Sequence, residues 1–157
     1  MGTMAAAVKN SQVEIQPADY AAGTEIRAMI RAGRLNPFGL DWRRFLLAVT
    51  SSGDIVGCVQ TRPHRGGARE LASLYVRPEW RRRGVGARLV QAILERESPP
   101  LWLTCRSELV PFYRRFGFEP VERMDEMPTY FRLVWWMFGL VRRLTRTNRE
   151  LVVMSWR

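Results

Sequence analysis

Arg81-Arg82-Arg83-Gly84-Val85-Gly86 is the stretch of this chain whose residue types and spacing could most directly do chemistry. It stands between an extended run and a helical one. Leu71, Leu74, Tyr75 and Val76 read as strand, since Val and Tyr favour extended backbone. Pro78 ends that strand, because its ring fixes φ and removes the N–H. Beyond the glycines, Leu89, Val90, Ile93 and Leu94 share one face of a helix. A glycine turn from strand into helix exposes the first N–H groups of that helix, which have no intrahelical partner and carry the positive end of its dipole. Gly84 and Gly86 have no Cβ, so a phosphate can approach the backbone closely. The arginines add charge and forked donors. The chemistry this spacing offers is phosphate binding. Two common phosphate loops are excluded: no Lys-[Ser/Thr] follows the glycines, and Leu89 occupies the third glycine position of the dinucleotide fingerprint.

Read as Arg81-x-x-Gly84-x-Gly86, with Leu74-Tyr75-Val76-x-Pro78 before it and Leu89-Val90 after it, the stretch resembles the signature of the GCN5-related N-acetyltransferases. The resemblance implies that the N–H groups of Arg82, Arg83, Gly84, Val85, Gly86 and Ala87 hold the pyrophosphate of acetyl-CoA. Arg81 and Arg88 are then its charge partners, while the side chains of Arg77 and Arg83 are read as solvated. It also implies that backbone groups of Leu74, Tyr75 and Val76 pair with the pantetheine amides, in a gap between their strand and Leu101–Cys105. A second similarity is Phe112-Tyr113-x-x-x-Gly117-Phe118. In that family the tyrosine hydroxyl faces the CoA sulfur and protonates it, which makes Tyr113 the candidate acid and leaves Phe112 and Phe116 to the core. The family often places an asparagine seven residues before this tyrosine; here Arg106 stands there, as a candidate cofactor contact. Glu70, fourteen residues before Gly84, resembles the catalytic glutamate of the histone-acetyltransferase branch.

Amide transfer from a thioester asks little of a protein. The amine must lose a proton, the carbonyl oxygen needs a donor as charge develops on it, the departing thiolate benefits from an acid, and holding the reactants together supplies much of the rest. Burial beside apolar strand residues would raise the Glu70 pKa to a useful value for a base; the plainer alternative is an edge glutamate paired with Arg69 or Arg62. Ser73 is a weaker polar candidate, on the face opposite Glu70 by period-two alternation. Cys58 and Cys105 read as buried, reduced thiols and not as acyl carriers, since nothing cationic adjoins them in sequence. A zinc site would need more Cys or His, so no metal is expected. His64, beside Pro63, Arg65 and Gly66-Gly67, reads as a solvated hairpin histidine, neither ligand nor base.

The elements that must position these groups follow in order. Val13–Gln16 reads as a strand, and Ile26, Met29 and Ile30 mark a helix ending at Gly33. Asn36-Pro37-Phe38-Gly39 is a turn. Phe45–Thr50, Ile55–Thr61 and the strand reaching Val76 read as an antiparallel meander. A helix over Gly84–Glu97, a strand over Leu101–Cys105, a helix from Ser107 to Phe116, a strand over Phe118–Glu122 and a last strand, Leu151–Trp156, complete the series. The expected fold class is α+β: a single mixed, mainly antiparallel sheet with helices on both faces, as in the acyl-CoA N-acyltransferase fold. One domain is expected over 11–157, with residues 1–10 read as a disordered tail or a cloning remnant, too short for a secretory signal.

The net charge of +10, nearly all arginine, favours anionic partners. Neither a helix-turn-helix nor an RNP-type motif is visible, so nucleic acid is not the expected one. The aromatic and basic segment 124–148 is an insertion between the last two strands. Three roles compete for it: a core or lid segment over the acceptor site, a homodimer face, or an interfacial membrane anchor with Trp135 and Trp136 at headgroup depth and Arg132, Arg142, Arg143 and Arg146 on anionic lipid. From Leu133 to Val141 it carries no charge, but nine residues cannot cross a bilayer, and apolar residues on all sides argue against a one-sided helix. Together with the Leu35–Arg44 loop it would line an acceptor pocket suited to an aromatic or acidic amine. The run Asn36–Phe45 resembles acetyltransferases of cyanobacteria and plant plastids, which makes protein N-termini or lysines plausible acceptors and the plastid stroma the alternative to a cytoplasmic location. The expected function is acetyl transfer from acetyl-CoA to a primary amine by direct attack in a ternary complex. The rival is a non-catalytic module of the same fold that senses acyl-CoA or binds an anionic surface.

Overall fold

The structure is a computed structural model, and it describes residues 13–145 and 150–157. Strands β1 (Val13–Pro17), β2 (Phe45–Thr50), β3 (Ile55–Pro63), β4 (Arg69–Val76), β5 (Leu101–Arg106), β6 (Glu119–Pro120) and β7 (Leu151–Trp156) are interleaved with helices α1 (Gly23–Ala32), α2 (Val85–Arg96), α3 (Val110–Arg114) and α4 (Thr129–Thr145). The strands form one mixed sheet in the order β1-β2-β3-β4-β5-β7-β6, which is the α+β class read from the sequence. The chain divides into two compact units, Met1–Arg62 with Leu71–Glu97, and Pro63–Glu70 with Ser98–Arg157.

In the first unit β1 and β2 pair antiparallel from Val13↔Thr50 to Pro17↔Leu46, and β2 pairs antiparallel with β3 through a bulge at Ala48/Val49. Asp19 accepts a hydrogen bond from the Ala22 N–H at 3.0 Å and so opens the turn that leads into α1. The apolar residues of α1 recur at i, i+3 and i+4, and Ile26, Met29 and Ile30 bury that stripe against Phe45, Leu47, Cys58 and Tyr75. Because side chains alternate along a strand, Gly57 faces the other way from Cys58. On that face a Cβ at Gly57 would lie 2.9 Å from the Tyr75 carbonyl oxygen and 3.1 Å from Leu89 Cδ1. The absence of a side chain at Gly57 thus lets α2 seat its fully buried Leu89 on the sheet.

In the second unit β5 runs antiparallel to β7 from Leu101↔Trp156 to Arg106↔Leu151, and β6 pairs with β7 at Glu119↔Ser155. Trp102 and Val153 face one side and pack with Val121, Met127 and Phe131. Cys105 and Met154 face the other, with their sulfurs 3.7 Å apart. The helix expected over Ser107–Phe116 is a 3-10 turn at Ser107–Leu109 followed by the short α3; Arg106, not Ser107, stands at its start, without a side-chain cap. The strand expected over Phe118–Glu122 shrinks to two residues, since Pro120 has no N–H to continue a ladder.

The insertion departs most from expectation. Residues Thr129–Thr145 form a 17-residue helix in which Phe131 alone is buried. The reading as a core segment is overturned along most of its length. Tyr130 and Phe131 pack inward on the first turn, whereas Leu133, Trp136, Met137, Leu140, Val141 and Leu144 face solvent at relative exposures of 46% to 76%. Arg146 and the tail expected at residues 1–10 lie outside the described residues. Among the described residues no helix is long and apolar enough to cross a membrane.

Two glycines should respond oppositely to the same change. Gly57→Ala forces a Cβ against a backbone oxygen and should cost about 1–3 kcal/mol of stability. Gly139→Ala, with open space around it on an exposed helix, should instead gain up to about 1 kcal/mol. Urea denaturation of the two variants checks this; equal effects would mean that Gly57 is not a close-packed position.

Candidate active site

The Arg81–Gly86 turn joins the end of β4 to the start of α2, as its sequence implies. A 3-10 turn at Pro78–Trp80 closes the strand, and the chain then passes through two residues with left-handed backbone, Arg82 (φ 57°) and Gly84 (φ 78°). Gly84 is the N-cap of α2 and offers no side chain to its N–H groups. The first rung of the helix is the Arg88 N–H donating to the Gly84 carbonyl at 3.0 Å, which leaves the N–H groups of Val85, Gly86 and Ala87 for an outside acceptor. Arg81–Gly84 are exposed, and Val85 is buried, so the turn is open outward and anchored inward.

The arginines around it divide by what they touch. Arg81 Nε donates to the Val76 carbonyl at 2.9 Å, and its guanidinium lies 5.7 Å from the Tyr75 ring centre. The side chain thereby holds the turn to the end of β4, and engages a carbonyl of the Leu74–Val76 segment. Arg83 lies over Trp80 at 5.2 Å, so it is not a freely solvated side chain. Nor is Arg77, whose Nε donates to the Ile55 carbonyl at 2.8 Å and whose guanidinium pairs with Glu25. Arg88 points to β1, where it donates to the Val13 carbonyl at 2.5 Å and lines a groove with Glu14, Gln91 and Glu95. Its charge lies on the flank of α2, one turn past the free N–H groups. Sequence spacing missed the partners of Arg77 and Arg88 because each lies on an element distant in the chain.

Within β4 the backbone turns left-handed at Ser73 (φ 60°). For a residue with a Cβ that conformation costs about 1–2 kcal/mol. It interrupts the strict alternation on which the placement of Ser73 opposite Glu70 rested: Glu70, Leu71 and Ala72 are buried in succession. The conformation is held from β3, where Gln60 Nε2 donates to Ser73 Oγ at 2.9 Å and the Cys58 thiol donates to the Ser73 carbonyl at 3.6 Å. The β4 residues that follow, Leu74 to Val76, are the proposed pantetheine partners.

Glu70 and Trp102 are opposed in the parallel pairing of β4 with β5. Glu70 is 5% exposed and its Oε2 is 2.7 Å from His64 Nε2. With the carboxylate ionised, Nε2–H donates to it. The His64 ring stacks on Tyr130 at 3.7 Å between centres and meets the edge of Phe131 at 5.7 Å. The reading of His64 as a solvated loop residue is therefore corrected: its side chain is 10% exposed and sits in an aromatic slot. Arg69, which with Arg62 was the alternative partner for Glu70, donates to the Ser98 carbonyl at 2.5 Å. A signal for the pair was present. The His64 N–H donates to Ala68 across the Gly66-Gly67 turn, so Glu70 is a diagonal cross-strand neighbour of His64. The stacking by Tyr130, 66 residues onward, was not readable.

Tyr113 lies on α3, 6% exposed, with its ring edge-on to Phe112 and Phe118. Burial, and then the nearby Cys105, push its hydroxyl above the usual phenol range, so it stays protonated and is available as a donor. Burial, and then Glu108, push the Cys105 thiol up to about 11; burial outweighs a backbone hydrogen bond from Tyr75 and pushes Cys58 up to about 12. Arg106 is exposed at the end of β5, opposite Leu151. Among the described residues no cluster of three or more His, Cys, Asp or Glu could hold a metal.

Residues 41–120, just over half of the chain, match the family model described as the acetyltransferase (GNAT) domain. The chain belongs to this family, the GNAT acetyltransferases. Its fold is shared by solved structures of low identity. The N-acetylglutamate synthase of Neisseria gonorrhoeae, complexed with coenzyme A and N-acetyl-glutamate, superposes with a TM-score of 0.69 at 19% identity, over 92% of this chain and 35% of that one. Naa50 of Arabidopsis thaliana, in complex with the bisubstrate analogue CoA-Ac-MVNAL, gives 0.61 at 16% identity over 93% and 99%. The ribosomal-protein-S18-alanine N-acetyltransferase of Escherichia coli gives 0.61 at 15% identity over 92% of each. The chain thus spans about a third of the Neisseria enzyme. No curated protein matches it in sequence.

The two free cysteines provide a check on this interior. At pH 8 a thiol with a pKa of about 11 is only about 0.1% thiolate, so a thiol reagent should label the native protein slowly and both cysteines promptly in guanidinium. The folded pKa values lie above the unfolded ones, so this stability is fully present below about pH 9 and is lost as pH rises towards 11. Urea midpoints should fall over that window; rapid native labelling at pH 8 would contradict the burial of these thiols.

Proposed function

We propose that this chain moves the acetyl group of acetyl-CoA to a primary amine by direct attack in a ternary complex. The observation that carries the reading is the start of α2, where Gly84 caps without a side chain and three successive N–H groups are left for an anion beside Arg82 and Arg83. Those groups suit the pyrophosphate. Backbone of Leu74 to Val76 suits the pantetheine, and Arg81 and Arg106 add charge; Arg88 stands further off, on its β1 carbonyl.

In the transfer the amine nitrogen attacks the thioester carbonyl, the C–S bond breaks, and the electron pair leaves with sulfur. Tyr113 supplies the proton or hydrogen bond that the thiolate receives. Its raised pKa does not forbid this, because burial raises a thiol as well: the neighbouring Cys105 is pushed up to about 11. The proton lost by the amine passes to Glu70, directly or through a water, and His64 holds the carboxylate in place. Cys58 and Cys105, protonated and buried, do not carry the acetyl group. Among the acceptors open from the sequence — a protein N-terminus, a lysine or a small aromatic amine — the likeness to an S18-alanine N-acetyltransferase supports the N-terminus as the first to test.

Calorimetric titration with acetyl-CoA should give a Kd on the order of micromolar. Gly86→Glu, which sets a carboxylate among the phosphate donors, should abolish it; binding that survives this change would mean the turn is not the cofactor site.

Thiol release with an amine panel separates the chemical roles. Tyr113→Phe should lower kcat by about 10²–10⁴ with acetyl-CoA affinity unchanged, and Glu70→Gln should act similarly. His64→Ala should move the pH profile of kcat as well as lower it. A Tyr113→Phe protein of full activity would remove that residue from the mechanism.

A further inference from the structure

The outer face of α4 is not used by any of this chemistry. Leu133, Trp136, Met137, Leu140, Val141 and Leu144 fall at i, i+3, i+4, i+7, i+8 and i+11, which is the spacing of a single apolar stripe. Such a stripe normally faces a core, yet here all six side chains are roughly half exposed or more. Contiguous apolar surface of this kind marks an interaction site.

The charges around the stripe select the partner. From Thr129 to Thr145 the helix carries Arg132, Arg142 and Arg143 and no acidic residue. Arg142 is turned to the far side, where it pairs with Glu150 at 3.2 Å. Arg132 and Arg143 remain exposed along one margin of the stripe. The chain as a whole carries +10. We propose that α4 lies in the headgroup plane of an anionic phospholipid bilayer, with the stripe sunk to the acyl boundary and the marginal arginines on lipid phosphates.

A second copy of the chain fits less well, since pairing the stripe with itself would bring arginine rims together with no carboxylate on either helix to answer them. A folded protein partner usually needs a total buried surface of about 1,200–2,000 Å². A single convex helix about 25 Å long offers far less on its own, whereas lipid moulds itself around such a shape. Long arginine side chains and indole rings also suit the interface between headgroup and acyl chain. The helix is not long and apolar enough to cross the membrane, so it would lie on it. None of the stripe residues is among the groups proposed for acetyl transfer.

Co-sedimentation with vesicles tests the proposal. Wild-type protein should bind phosphatidylcholine vesicles containing about 30 mol% phosphatidylglycerol at least about tenfold more tightly than phosphatidylcholine alone. Leu140→Glu should weaken that binding about tenfold or more, and the double variant Arg132→Glu/Arg143→Glu by about the same factor. These positions are exposed, so far-ultraviolet circular dichroism and acetyl-CoA affinity should be unchanged. Failure of the wild type to bind anionic vesicles would overturn the proposal. So would binding that Leu140→Glu leaves intact, which would be adsorption by net charge alone. So would a dimer in sedimentation velocity that Leu140→Glu dissolves, which would give the stripe to a second copy.

Discussion

An α-helix cannot satisfy the N–H groups of its own first turn, and the first unit of this chain is arranged around one such deficit. Most helices resolve it with a Ser, Asp or Asn side chain at the N-cap. Asp19 does so for the 3-10 turn that leads into α1, whereas α2 begins directly at Gly84, which has no side chain to offer. The deficit is kept rather than filled, and the surroundings make it permanent. Val85 and Leu89 are fixed in the core beneath it, and Gly57 clears the space for Leu89. Arg81 ties the turn to the end of β4 through the Val76 carbonyl. The result is a rigid set of donors that needs no rearrangement to meet an anion, the condition under which fixed dipoles are most effective.

How much of this was legible depended on how local each determinant is. β2 and β7 have the limits read from the sequence, because alternation and flanking turns define them without reference to the rest of the chain. The Arg81–Gly86 turn was legible for the same reason. Partners brought together from far apart were not: Arg77 on Glu25, Arg88 on Val13 and Tyr130 on His64 join positions separated by 52, 75 and 66 residues. His64 was misread by position, since a histidine beside two glycines has the signature of a loop. The α4 segment was misread by pattern. The inward Phe131 and the partly covered Val134 and Phe138 lie on one side and the exposed stripe on another, so the sequence looked apolar all round.

The second unit sets polar, titratable side chains against aromatic rings. His64 is packed against Tyr130 and Phe131, and Tyr113 against Phe112 and Phe118. Excluding water in this way strengthens a hydrogen bond that is satisfied and penalises one that is not. The 2.7 Å contact of His64 with Glu70 gives a nearly buried carboxylate a hydrogen-bond donor. For Tyr113 the same exclusion favours the protonated form, which is the form able to donate.

The stacking of Tyr130 on His64 makes α4 something other than a passive attachment. Tyr130 and Phe131 occupy the first turn of that helix, and both touch the imidazole that holds Glu70. A tilt of the helix would bear on the ring packed on His64, and through it on the carboxylate that the imidazole contacts. Thermodynamic linkage then runs in both directions: if seating the helix alters the binding of a ligand beside Glu70, that ligand must alter the seating of the helix by the same factor. The aromatic slot would thus be a point where location in the cell and occupancy of the site are read against each other.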